Sequence, residues 1–144
     1  MDLPDLNVWL ALIDQNHVHH ALAASYWEGS ADAQLGFTRV SMLGLLRLST
    51  QPRVLSRPLS NTEAWNIYRQ LSAAPQVTFL PEPATLETTF ATLTTTTALP
   101  NRLWTDAYLA AFAITGGARL VSFDSDFTRF PGLNFFHLGN PSVS

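Results

Sequence analysis

The chain alternates short apolar segments of strand length with longer segments of helical periodicity, and this alternation restricts the fold more than any other feature. Strands that alternate with helices form a mostly parallel sheet, because each helix returns the chain to the starting end of the next strand. Helices then cover both faces of the sheet. The pattern therefore predicts a three-layer α/β/α fold with a mostly parallel central sheet.

The element boundaries follow from apolar runs and from the Gly, Pro, Asp and Asn residues between them. The predicted strands are one that ends near Asp5, then Leu35–Thr38, Val77–Leu80, Arg119–Phe123 and Leu133–His137. The predicted helices are one from about Leu6, then Val18–Glu28, Arg39–Ser49, Thr62–Ala73, Ala84–Thr95 and Arg102–Thr115, with a short turn or helix at Ser125–Phe130. No repeat or linker divides the chain, so we expect residues 1–144 to form a single domain.

Composition excludes several classes of active site. The chain has no Cys, which excludes thiolate zinc sites, iron–sulfur clusters and cysteine nucleophiles. All 8 basic residues are Arg, so a Walker A loop and a Schiff-base lysine are also excluded. Response-regulator-like and dehalogenase-like phosphoryl-transfer sites normally need a Lys, which disfavours them here. The formal net charge is −3. A polyanionic substrate would therefore need positive charge from a source other than the chain's net charge.

No targeting segment is visible at the N-terminus. Residues 1–14 contain three Asp and no basic residue, unlike a signal peptide. No apolar run approaches the roughly 18 residues that span a bilayer. We therefore expect a soluble cytoplasmic protein without membrane contact.

Two aspartates fall where a parallel α/β sheet places its working residues, and a third lies near the start of an apolar helix. Asp5 follows the first predicted strand and Asp124 follows the strand Arg119–Phe123, and ligands bind at the carboxyl ends of such strands. Asp106 begins an apolar helix, where an ionised carboxylate is costly unless it is paired or bound to metal. The alternative for Asp106 is an ordinary helix-start aspartate beside the positive end of the helix dipole.

Carboxylates that converge from separate segments suit a hard divalent cation. Mg²⁺ and Mn²⁺ prefer oxygen ligands, and a carboxylate-bound cation of this kind supports phosphodiester hydrolysis. The cation also supplies the positive charge that the composition lacks. Asp126 is a candidate fourth ligand, although its position slightly favours a role as the cap of the turn at Ser125–Phe130.

Four segments together resemble PIN-domain ribonucleases, and more narrowly the VapC-type toxins of bacterial toxin–antitoxin pairs. They are LPDLNVWLAL at residues 3–12, HVHHA at 17–21, TDAYLAA at 105–111 and LVSFDSDF at 120–127. The resemblance implies a single PIN domain, a Mg²⁺- or Mn²⁺-dependent endoribonuclease, inhibition by a cognate antitoxin protein, and a homodimer. It also implies that three acids of these motifs are catalytic metal ligands, with a fourth possible: Asp5, Asp106 and Asp124, then Asp126.

The same resemblance suggests supporting residues and shows one departure. Asn7 and Ser122 fall where the family often places polar groups behind the ligands. Many PIN nucleases carry a Glu in the helix matched by Arg39–Ser49, but Gly44 occupies that position here. Arg47 in this helix either binds a substrate phosphate or extends into solvent. The absent Glu leaves open a second function, that of a catalytically inactive PIN-fold binding or regulatory module.

The histidines at positions 17, 19 and 20 invite comparison with a transition-metal site. His17 and His19 are not spaced to share a helix face, which disfavours shared coordination. We expect this group to cap the first helix or to line the mouth of an active-site groove.

Overall fold

A computed structural model describes residues 1–96 and 98–139, and it shows five strands in one parallel sheet. The strands are β1 (Asp2–Pro4), β2 (Leu35–Phe37), β3 (Val77–Phe79), β4 (Arg119–Ser122) and β5 (Phe135–His137). Their spatial order is β3-β2-β1-β4-β5, and all four neighbouring pairs are parallel. This confirms the predicted class of fold. The prediction of one domain over residues 1–144 also includes residues 97 and 140–144, which lie outside the described residues.

Six α-helices connect and cover the strands. They are α1 (Leu6–Ile13), α2 (His20–Glu28), α3 (Arg39–Ser49), α4 (Asn61–Ser72), α5 (Leu86–Thr95) and α6 (Trp104–Gly116). Short 3-10 turns at Asn101–Leu103 and Ser125–Arg129 precede α6 and follow β4. No helix in the described part of the chain is long and apolar enough to cross a membrane.

The two faces of the sheet bury separate apolar cores. On one face, Leu3 of β1 packs with the buried side of α6, including Leu109 and Phe112. On the other face, Trp9 of α1 stacks on Phe37 of β2, with ring centroids 4.1 Å apart. Burial on both sides explains why the strands are short, nearly continuous apolar runs.

The start of α2 differs from the prediction. The sequence pattern placed it at Val18, whereas the helix begins at His20. The segment before it forms a turn, in which the His19 backbone N–H donates to Nδ1 of His17 at 3.0 Å. Val18 is 86% exposed, so it adds nothing to the apolar side that the pattern assigned to the helix.

The sheet brings the ends of β1 and β4 side by side. Pro4 pairs with Val121, and the Asp5 backbone N–H donates to the Val121 carbonyl at 2.8 Å. Helix α6 ends at Gly116 and is capped by Gly117, whose φ of 66° is readily adopted by Gly. The chain then enters β4. This connection places the N-terminus of α6 at the same sheet edge as the residues that follow β1 and β4.

Candidate active site

Asp5 lies at the carboxyl end of β1 and begins α1. Its Oδ1 accepts the Leu6 backbone N–H at 2.7 Å, and its Oδ2 accepts the Ser122 hydroxyl at 2.8 Å. The residue is only 8% exposed. Burial raises the pKa of Asp5 above its ordinary value, while the bonds from Ser122 and Leu6 oppose this effect and the charge of Asp124 adds to it.

Ser122, the last residue of β4, links the two strand-end aspartates. The side chain is fully buried; it donates to Asp5 and accepts the Asp124 backbone N–H at 3.0 Å. Asn7 Nδ2 also donates to the Ser122 hydroxyl oxygen at 3.1 Å. The structure therefore places both residues that the resemblance suggested for support directly behind the carboxylates.

Asp106 lies in the first turn of α6 and faces the other acids. Its pKa is raised to about 7, first by burial and then by the negative charges of Asp5, Asp124 and Asp126. Arg102 offsets part of this effect. The structure thus brings four acids from three distant segments close enough that the charges of Asp5, Asp124 and Asp126 act on Asp106.

Asp124 and Asp126 have different surroundings. Asp124 Oδ1 accepts the Asp126 backbone N–H at 2.9 Å, so Asp124 is the residue that caps the turn after β4. Asp126 had been the candidate for that role, and instead its Oδ2 forms an ion pair with Arg102 Nη1 at 2.8 Å. The hydrogen bond from Arg102 lowers the pKa of Asp126.

The four carboxylates border a shared region without forming a preformed metal cage. Within residues 1–96 and 98–139, no three Asp, Glu or His side chains are grouped closely enough to hold a metal ion as they stand. The donor chemistry nevertheless fits a hard divalent cation, because every candidate ligand is a carboxylate. A cation among them would also offset the repulsion that raises the pKa of Asp106.

A groove of about 380 Å³ opens beside Asp5 and Asp106. Helix α3 forms its opposite wall with Gly44 and Arg47. A Cβ atom at Gly44 would lie 2.8 Å from a methyl carbon of Leu6, so a larger side chain here requires Leu6 to move. The position that holds Glu in many PIN nucleases thus supplies no acid, and Arg47 is the cationic residue on this wall.

The histidines do not converge with the carboxylates. His20 Nδ1 lies 2.8 Å from the Ala11 carbonyl near the end of α1, so His20 alone of these three described histidines caps this helix. His19 stacks on Phe123, with ring centroids 4.4 Å apart. His17 accepts the His19 backbone N–H, as described above.

Arg102 is the site residue that the sequence analysis missed. It lies four residues before Asp106, just outside α6, and the sequence analysis used it only to mark the start of a predicted helix. The structure instead pairs it with Asp126. Its position at the start of the helix that bears Asp106 was the available signal, but pairing with a residue 24 positions away cannot be inferred from spacing.

The chain was compared with known families and structures. The PIN domain family matches residues 3–133. Ribonuclease VapC41 of Mycobacterium tuberculosis is 37% identical over 139 residues, covering 92% of this chain and 95% of the relative. Ribonuclease VapC33 of the same species is 30% identical and covers 94% and 96% of the two chains.

Solved structures show the same fold at low identity. The VapBC2 complex of Rickettsia felis, bound to a promoter DNA fragment, contains a chain with a TM-score of 0.70 and 15% identity, covering 94% of this chain and 96% of that one. VapC20 of M. tuberculosis, described as a sarcin–ricin loop cleaving toxin, has a TM-score of 0.65 and 17% identity, covering 92% and 98%. These matches confirm the fold. Together with the family match and the 37% identical relative, they show that this chain belongs to the PIN domain family and, within it, to the VapC ribonucleases.

Proposed function

We propose that this VapC ribonuclease is a divalent-cation-dependent endoribonuclease whose ligands are Asp5, Asp106 and Asp124. The observation that supports this most is geometric: Asp5 and Asp106 line one groove, and the Ser122 hydroxyl joins Asp5 to the Asp124 backbone. Burial, and then the charges of the other acids, also raise the pKa of Asp106. Carboxylates that serve only the fold are rarely grouped at one edge of a sheet, because their mutual repulsion lowers the free energy of unfolding. A site that binds a cation gains from the same arrangement.

The residues around the ligands have distinct tasks in this proposal. Ser122 holds Asp5 and the Asp124 backbone at fixed spacing, and Asn7 holds Ser122. When bound, Mg²⁺ or Mn²⁺ neutralises charge on the scissile phosphate and promotes deprotonation of the attacking water. Arg47, on the opposite wall, is placed to bind the RNA backbone.

Asp126 is proposed as a fourth, outer group. Its Oδ2 is bound to Arg102, whereas its Oδ1 makes no hydrogen bond with the described residues. One carboxylate oxygen therefore stays available for a ligand. With Gly44 in place of the Glu found in many PIN nucleases, we propose one well-held cation and no tightly bound second one.

An antitoxin is the proposed protein partner, and the chain is proposed as the toxin of the pair. The support is that the similar chains from R. felis and from Salmonella typhimurium were solved in VapBC complexes. The described surface has exposed apolar side chains that a partner could cover, among them Leu43 at 61% and Trp104 at 49% exposure. A homodimer, implied by the family resemblance, is a further proposal.

The test is cleavage of single-stranded RNA by purified protein that is free of any copurified antitoxin. We expect cleavage with Mg²⁺ or Mn²⁺, none with chelator, and a loss of at least about 100-fold in Asp106→Asn, because the cation's position depends on that carboxylate. Asp32→Asn is the matched control, since Asp32 is an exposed acid that does not line the groove. A wild-type protein that binds RNA with cation present and never cleaves it would favour the inactive binding module instead.

A further inference from the structure

An ion pair lies near the acids of the proposed site. Arg102 Nη1 contacts Asp126 Oδ2 at 2.8 Å, and the two side chains are 66% and 33% exposed. Arg102 belongs to the 3-10 turn that precedes α6, and the next residue, Leu103, is 1% exposed and anchors that turn in the core. The guanidinium is therefore held in place at its base and at its tip, while most of its surface faces solvent.

Arg102 also interacts electrostatically with acids other than Asp126. Asp126, Asp124 and Asp106 all stabilise the charged guanidinium, and Arg102 in turn lowers the pKa of Asp106. Only Nη1 bonds to the described residues, so the remaining N–H groups are open to a further acceptor. Arg102 thus presents a positioned, partly unused fork of donors beside the proposed ligands.

The other arginines with recorded partners are engaged elsewhere. Arg119 binds Asp2, Arg57 binds Glu63, and two more lie over aromatic rings: Arg39 over Phe79 and Arg69 over Trp65. Because the chain has no Lys, any further side chain with a permanent positive charge for the RNA backbone must be an Arg. Among the described arginines, Arg102 is the one bonded to an acid of the proposed site.

We propose that Arg102, positioned by Asp126, binds a phosphate of the RNA backbone next to the bond that is cleaved. The inference rests on the function proposed above, in which the cation serves the scissile phosphate itself. A guanidinium fork matches the oxygen geometry of phosphate, and the ion pair reduces the side-chain freedom that binding would otherwise remove. Asp126 is then a positioning residue for Arg102.

The test compares Arg102→Ala with the wild type in RNA affinity, in the salt dependence of that affinity, and in kcat and KM. We expect weaker RNA binding and a raised KM, by about fivefold to tenfold, with kcat within about twofold. The slope of log affinity against log salt should fall by about 0.7, the value for one phosphate contact on a single strand. Arg102→Lys should restore part of the slope, because Lys keeps the charge without the fork.

Two further variants separate a phosphate contact from a general loss of structure or charge. Arg57→Ala removes a similarly exposed Arg from a similar ion pair, at 2.9 Å from Glu63, which is not an acid of the proposed site, and should leave RNA binding unchanged. Asp126→Asn should shift KM in the same direction as Arg102→Ala but less, since Arg102 stays present without its anchor.

The outcomes distinguish this inference from the proposed function. If the wild type cleaves RNA with cation and Arg102→Ala matches it in affinity and salt slope, Arg102 does not bind phosphate, although the nuclease stands. If Arg102→Ala cleaves faster and binds Mn²⁺ more tightly, Arg102 competes with the cation for Asp126 and the inference is wrong. If the wild type neither binds nor cleaves RNA, both proposals fail.

Discussion

At the scale of single residues, the acids of the proposed site lower the free energy of unfolding of the cation-free protein. Asp106 is half-buried, and three other carboxylates add to burial in raising its pKa. A neutral amide of the same shape removes that repulsion and retains the packing. We therefore expect Asp106→Asn to raise the unfolding free energy of the metal-free protein at pH 7 by about 1 kcal/mol. Urea unfolding in chelator, beside Asp32→Asn, measures this, and a less stable Asp106→Asn protein would contradict it.

Ser122 has the opposite effect on stability, because its hydroxyl satisfies buried polar groups. It donates to Asp5 and accepts from Asn7 and from the Asp124 backbone. Ser122→Ala leaves these partners without their shared bond, and we expect a loss of about 2 kcal/mol in unfolding free energy. RNA cleavage should fall as well, because Asp5 and Asp124 lose their common support. Unchanged cleavage in Ser122→Ala would show that the hydroxyl does not position the acids.

The strand-end rule located the aspartates from sequence, but their partners required the structure. Asp5 and Asp124 follow β1 and β4, and the carboxyl ends of parallel strands meet at one edge wherever those strands lie in the sheet. The Arg102–Asp126 pair depends on how two short 3-10 turns approach each other, for which the sequence offers no periodic signal. Side-chain pairing across loops was therefore the part of the site that sequence reasoning missed.

At the scale of elements, one aspartate joins the end of α1 to the loop before α4. Asp14 caps α1 and accepts three hydrogen bonds: from the Ser56 backbone N–H, the Ser56 hydroxyl and the Asn16 backbone N–H. The bond from the Ser56 N–H is the largest of the causes that lower the pKa of Asp14. These bonds hold the loop between α3 and α4 against the end of α1.

The lowered pKa gives the stability contribution of Asp14 a definite pH dependence. The contribution is present above the ordinary pKa of 3.8 and is lost as the pH falls through the lower folded value. We expect Asp14→Asn to reduce the unfolding free energy by about 1–2 kcal/mol at pH 7 and the deficit to shrink below about pH 4. Urea titrations at both pH values check this, and a deficit that does not depend on pH would refute the electrostatic explanation.

The helix and strand types were predictable, whereas some helix starts were not. Helix α3 begins where Thr38 forms a capping box with Ser41, and its predicted bounds were confirmed. Helix α2 has no side-chain cap, and its apolar pattern extended the prediction back to Val18. The turn that displaces its start depends on a bond between a histidine ring and the backbone, which periodicity cannot report.

At the scale of the whole molecule, cation binding should stabilise the fold, because the acids come from β1, β4 and α6 and meet only in the folded chain. A ligand that binds only the folded state adds about 2.7 kcal/mol when its concentration is 100 times its Kd. We expect Mn²⁺ to raise the Tm of the wild type in a saturable manner and to raise that of Asp106→Asn much less. Equal shifts in both proteins would place the stabilising ion elsewhere.

The position of the cation tests the central claim most directly. The measurement is an anomalous difference map from crystals of the wild-type protein grown or soaked with Mn²⁺. We predict one dominant peak beside the groove, about 2.1–2.3 Å from carboxylate oxygens of Asp5, Asp106 and Asp124. A dominant peak at the histidines 17, 19 and 20, with none among the aspartates, would contradict the account.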